Sequence, residues 1–241
     1  MSSVDRGHWH RKLHGRLYPA VVVPMDEKGR IVSTALNRYI GYMNAQPADG
    51  VALWVHTSRG LKMDREMRVA LLKAWRAGLE RDRIIIAGAG GLFAADEDAS
   101  TGDRAYIEHA VSMARDAAEF GADALLVWAP VRFRGRPDQD ERIVETHRAI
   151  AAVGLPMIVF YLYESAGGVT YSLDVLRKLF AIPEVVGIKM ATLDSVMTYQ
   201  DVSTLIQREF ADVTLITGED RFLGYSIMRG ATAALIGMGA A

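Results

Sequence analysis

Residues 184–191 read EVVGIKMA, in which Glu184 opens an apolar run of strand length interrupted by one charged side chain, Lys189. Pro183 stops the segment before it, in which Ser172 can cap a helix running from Leu173 to Phe180. The same alternation continues in both directions. Upstream, the apolar runs are PAVVVPM (19–25), GVALWVH (50–56), RIIIAGAG (83–90), ADALLVWAP (122–130) and LPMIVFYLY (155–163). Downstream they are DVTLITG (212–218) and ATAALIGMG (231–239). These eight runs are nearly continuous in Val, Ile and Leu, as parallel strands covered on both faces require. Helical spacing fills the gaps. Leu36, Tyr39, Ile40 and Met43 share one face after Ser33, and Asp64 can cap the stretch carrying Met67, Leu71, Trp75 and Leu79.

Strand and helix repeated eight times predict an α/β fold, a (β/α)8 TIM barrel spanning residues 17–241. An open doubly wound sheet is disfavoured. No G-x-G-x-x-G turn follows the first strand, and AGAGGLF after the third lacks that spacing. Because the sequence stops just past the eighth run, the barrel is expected to lack its eighth helix and C-terminal helices. More chain or a neighbouring subunit would then cover the last strand. Residues 91–102, GLFAADEDASTG, read as a long loop on the catalytic rim.

Composition narrows the function. Of 241 residues, 50% are hydrophobic and 24% charged, which is ordinary for a globular domain. A formal charge of −1 gives no reason to expect nucleic acid or an anionic membrane surface as partner. With no cysteine there are no disulfides, thiolate metal sites or cysteine nucleophile. No apolar run approaches a bilayer span, and residues 1–16, MSSVDRGHWHRKLHGR, lack the apolar core of a signal peptide. That segment reads as a polar, solvated leader, and a cytoplasmic setting is expected.

Reactive groups of such barrels sit at the C-terminal ends of strands. Among those positions Lys189 stands out, since apolar surroundings disfavour its ammonium and favour the neutral, nucleophilic amine. Equally open is a lysine that snorkels to water or pairs with Glu219 or Asp220.

AVVVPMDEKGRI (20–31), VVGIKMATLDS (185–195) and TGED (217–220) resemble the dihydrodipicolinate synthase / N-acetylneuraminate lyase family of class I pyruvate-dependent aldolases, with all elements in order from about Leu17. The resemblance implies a lyase, an aldolase or hydro-lyase, in which Lys189 forms a Schiff base with pyruvate or another small 2-keto acid. It implies no metal or cofactor, and assembly as a homodimer or homotetramer. The family's G-T-T-G-E loop corresponds to Val55-His56-Thr57-Ser58-Arg59, so Thr57 and Ser58 are the candidates for holding the substrate carboxylate. His56 replaces a relay threonine, and Arg132 follows a segment that has lost the relay tyrosine; they are a candidate acid/base and a candidate anion clamp. Phe160 falls where the family has its acid/base tyrosine, which leaves Tyr161 as a candidate if a strand shift turns it inward. Ser165 replaces the arginine that the synthases use on their second substrate, and remains a candidate substrate contact. These replacements argue against dihydrodipicolinate synthesis itself. Two further readings are a barrel that binds a keto acid as a sensor or partner protein, and a phosphate-binding barrel using Gly218 and residues 237–239. The acidic Glu219 and Asp220 disfavour the latter.

Overall fold

The computed structural model describes residues 4–91, 99–192 and 195–238, and within them the apolar runs become parallel strands alternating with helices. The elements in order are α1 (Arg6–Leu13), β1 (Arg16–Pro19), α2 (Ser33–Asn44), β2 (Gly50–Leu53), α3 (Arg65–Gly78), β3 (Ile84–Ala89), α4 (Ala99–Phe120) and β4 (Ala124–Val127). There follow α5 (Gln139–Ala151), β5 (Met157–Leu162), α6 (Leu173–Phe180), β6 (Val185–Ala191), α7 (Val196–Glu209), β7 (Thr214–Thr217), α8 (Leu223–Met228) and β8 (Ala233–Ile236). The sheet order is β1-β8-β7-β6-β5-β4-β3-β2, and a parallel bridge between Ala20 and Ala52 joins its two ends. This is a (β/α)8 barrel. Asp64 and Ser172 cap α3 and α6 through the N–H groups of Met67 and Val175.

Two apolar layers organise the packing. Tyr18, Ala52, Ile86, Leu126, Ile158, Val186, Ile216 and Leu235 fill the barrel interior. A larger shell, including Val51, Ile85, Leu125, Val159, Ile188 and Leu215, packs between strands and helices.

Three readings of the sequence change here. The first strand begins upstream of the run at 19–25 and shares only its first residue, Pro19. After Ala20 the chain leaves the sheet, and Asp26 accepts the N–H groups of Lys28 and Arg30 in a tight turn. The segment read as a solvated leader contains α1, capped by Asp5 through the N–H of His8. Leu13 is fully buried in the interior layer, and Arg6 donates to the carbonyls of Phe180 (2.7 Å) and Ile182 (2.9 Å). The helix therefore closes the N-terminal end of the barrel. Of the loop expected at 91–102, residues from Ala99 onward belong to α4, while 92–98 lie outside the described residues. No described helix is long and apolar enough to cross a membrane.

Candidate functional site

A single extra residue in β6 aims Lys189. Met157 pairs with Val185, but Ile158 pairs with Gly187, so Val186 is a bulge. Val186 faces the interior layer, whereas Ile188 and Met190 face the outer shell. Strict alternation from Val186 would have sent Lys189 outward; the bulge reverses the sense, and Lys189 points inward. Its Nζ stands 4.3 Å from the ring centroid of Phe160, its register partner on β5. Burial lowers the Lys189 pKa to about 8, and the charges of Asp220 and Glu219 oppose that shift without cancelling it. Gly218 makes room for the stem, because a Cβ there would lie 2.4 Å from Lys189 Cε.

Glu219 is buried and clamps the exits of two strands. It accepts from the N–H (2.5 Å) and hydroxyl (2.8 Å) of Thr192, while its own N–H donates to Thr217 Oγ1 (3.1 Å). This holds the Glu219 carboxylate at the strand exits, where its charge favours the Lys189 ammonium.

At the exit of β2, Trp54 adopts φ 58° and Arg59 φ 53°, left-handed conformations that cost a side-chain-bearing residue energy. The Trp54 indole N–H donates to Arg68 O (3.0 Å), and the carbonyl of Trp54 lies where a Cβ on Gly60 or Gly88 would stand, 2.2 and 2.6 Å away. This turn lifts His56 and Thr57 to the mouth. His56 keeps a side open to water but packs on Trp128 (4.9 Å between centroids) and Phe160 (5.8 Å). Burial against these rings, then the charge of Lys189, lowers its pKa below the ordinary imidazole value. His56 and Lys189 thus share Phe160 as a wall.

The other candidates divide. Thr57 is exposed, 3.5 Å from where a Cβ on Gly237 would stand, so its hydroxyl lies at the mouth. Ser58 is buried, and its hydroxyl donates to Val55 O (3.1 Å). Ser165 is exposed in a short turn, bordering a rim hollow with Tyr163, Thr170 and Thr192. Tyr161 does not turn inward. The irregularity between β5 and β6 falls in β6, so Tyr161 stays in the outer shell, its ring tilted against that of Tyr171 with centroids 4.9 Å apart and its oxygen accepting the Tyr171 N–H. Arg132 is directed to α4, where its guanidinium meets the buried carboxylate of Asp103 at 3.5 Å, beside Arg136. That ion pair commits the guanidinium in part to Asp103.

The bulge, Phe160 as a platform and Trp128 as a wall escaped the sequence reading. The glycine of TGED, at 218, was the available signal for the close approach there. Beside His56 lies an open cleft of about 210 Å³ lined by Trp54, Val55, Leu61 and Trp128, with Arg59 and Lys62 on its outer side. A larger hollow among Arg16, Asp49 and Arg83 lies at the opposite end of the strands, away from Lys189. No described group of three His, Asp or Glu side chains is arranged to hold a metal ion.

The wild-type sialic acid aldolase of Ruminococcus gnavus superposes with a TM-score of 0.78 at 20% identity, covering 95% of this chain and 69% of that one, a likeness of fold. The 4-hydroxy-tetrahydrodipicolinate synthase of Acidiphilium cryptum is 31% identical over 182 residues, which are 74% of this chain and 56% of that protein. The N-acetylneuraminate lyase of Rattus norvegicus is 27% identical over 231 residues, 93% of this chain and 66% of the relative. The chain therefore spans between 56% and 66% of the length of these two relatives. The model of the dihydrodipicolinate synthetase family matches residues 13–238, nearly the whole of the sequence, and the chain belongs to that family.

Proposed function

We propose that the chain is a Schiff-base-forming lyase, an aldolase or hydro-lyase of class I type, acting on pyruvate or another small 2-keto acid. The observation that carries this is a lysine turned into the barrel mouth by the β6 bulge, buried, and with its pKa brought down to about 8. A neutral amine is the nucleophile an imine requires. Lys189 adds to the C2 ketone, and water leaves as the imine forms. In the cleavage direction the C4 hydroxyl gives its proton to His56. The C3–C4 bond then breaks, its electrons enter the iminium to give an enamine, and an aldehyde departs. Protonation at C3 and addition of water release pyruvate and restore the amine. His56 suits the base role because it is neutral at pH 7 and shares a wall with the amine. Thr57 and the N–H groups of its turn are the proposed seat of the carboxylate, with Ser165 a rim contact. Homodimeric or homotetrameric assembly in the cytoplasm belongs to the same proposal.

Incubation with pyruvate and borohydride should add the mass of a reduced pyruvyl group to the peptide containing Lys189. Labelling that survives undiminished in Lys189→Ala would defeat the assignment. A keto-acid sensor is the second reading, favoured by Phe160 standing beside the amine with no proton to give. Imine formation without turnover of any 4-hydroxy-2-keto acid would select it.

A further inference from the structure

The cleft beside His56 differs in chemistry from what a polyhydroxylated substrate needs. Its apolar lining is Trp54, Val55, Leu61 and Trp128, with His56 and Gly60 beside them, and Gly90 packs against two of these walls without a side chain of its own. A Cβ on Gly90 would come within 3.1 Å of the Trp128 ring and 3.4 Å of Leu61, and one on Gly60 would strike the Trp54 carbonyl. Trp128 is also a wall of the reaction site: its ring lies 6.3 Å from Phe160, over which Lys189 stands, and 4.9 Å from His56. The cleft and the amine therefore meet along one aromatic edge.

The volume, about 210 Å³, is that of a site for a single flat ring; a buried apolar cavity of ~150 Å³ suffices for benzene. Hydroxyl groups placed there would leave water for walls that offer few partners, whereas a ring would exchange water for aromatic and aliphatic contact. Arg59 and Lys62, exposed on the outer side, form no ion pair among the described residues and leave the entrance open.

The geometry points to a substrate whose part beyond C3, released as the aldehyde, is an apolar planar group of about one ring, seated between Leu61 and Trp128. This rests on the lyase reading and adds its substrate class. In the forward direction the enamine of pyruvate attacks the aldehyde carbon, and the aldehyde oxygen takes a proton to become the C4 hydroxyl; no oxidant or reductant is involved.

The test compares benzaldehyde with erythrose as acceptors for pyruvate. Benzaldehyde should be favoured at least about tenfold in kcat/KM, the discrimination a fitted apolar pocket supplies. Leu61→Trp, which fills the cleft, should lower that ratio by about tenfold or more, while Leu61→Met should keep it. Borohydride trapping of pyruvate on Lys189 in each variant verifies that the barrel and amine are intact. If neither aldehyde is turned over, their dissociation constants by calorimetry are compared in the same three proteins, with the same ratios expected. Equal use of the two aldehydes, preference for erythrose, or a ratio unmoved by Leu61→Trp overturns the proposal. Failure of the wild type to trap pyruvate defeats the lyase reading instead, and the calorimetric ratio then judges the cleft by itself.

Discussion

Lys189 is held where its charge is disfavoured, and that has consequences for both chemistry and stability. With its pKa near 8 rather than 10.5, the neutral fraction grows through pH 8. Initial rates of pyruvate trapping should therefore climb between pH 7 and 9 and level off above that range. A profile still rising steeply at pH 10 would mean the amine is not desolvated. The same shift acts on folding. Between pH 8 and 10.5 the unfolded chain binds more protons at this position than the native chain, so stability rises with pH across that window. Below it the native state bears the full cost of burying an ammonium. Lys189→Met should then stabilise the protein at pH 7 by on the order of 3 kcal/mol, read from urea denaturation. The gain should shrink between pH 8 and 10.5 and be gone above that window, because both states of the wild type are then neutral. A methionine variant less stable than wild type at pH 7 would show that Glu219 and Asp220 outweigh the burial.

At the scale of elements, the exit of β2 is the most tightly constrained feature. Ala at position 60 would place its Cβ 2.2 Å from the Trp54 carbonyl, against backbone that is already left-handed. Gly60→Ala should destabilise the fold by about 1–3 kcal/mol or more, measurable as a lowered denaturation midpoint, and should reduce turnover by moving His56. An unchanged midpoint would mean that the turn relaxes freely. The succession of strands and the caps at Asp64 and Ser172 could be read from the sequence because apolar runs and capping residues are local signals; Lys189 stood out there as a charge within an apolar strand, but the face it takes did not. The bulge in β6 is not local. It is set by pairing with β5, and it decides which face Lys189 and, by its absence from β5, Tyr161 occupy. Arg132 likewise reads as a clamp in the sequence because Asp103, 29 positions earlier, becomes its neighbour only once α4 packs beside the β4 exit. The helix α1 was hidden by its polarity, since only Leu13 among its residues is fully buried.

Across the whole barrel, the proposed lyase reading makes proton transfer a joint property of several strand exits, and the choice of substrate tests it. The β5 exit presents Phe160 to the amine instead of a hydroxyl, the β4 exit sends Arg132 toward Asp103, and the rim position of the synthases' arginine holds Ser165. Among the described residues at the positions matching the family's relay, the β2 exit brings a titratable group, His56, to the same wall as Lys189. General acid–base assistance is worth about 10²–10⁴-fold. Condensation of pyruvate with aspartate semialdehyde should accordingly run at least ~10²-fold below an ordinary turnover of about 10 per second. A coupled assay that finds an ordinary turnover number would show that His56 replaces the missing hydroxyls for this substrate as well. His56→Ala separates the possibilities. If it abolishes cleavage of a 4-hydroxy-2-keto acid while Lys189 still traps pyruvate, the barrel runs its proton transfers from the β2 exit. If cleavage persists, the substrate's own groups or water carry the proton, and His56 serves only as part of the wall shared with Trp128 and Phe160.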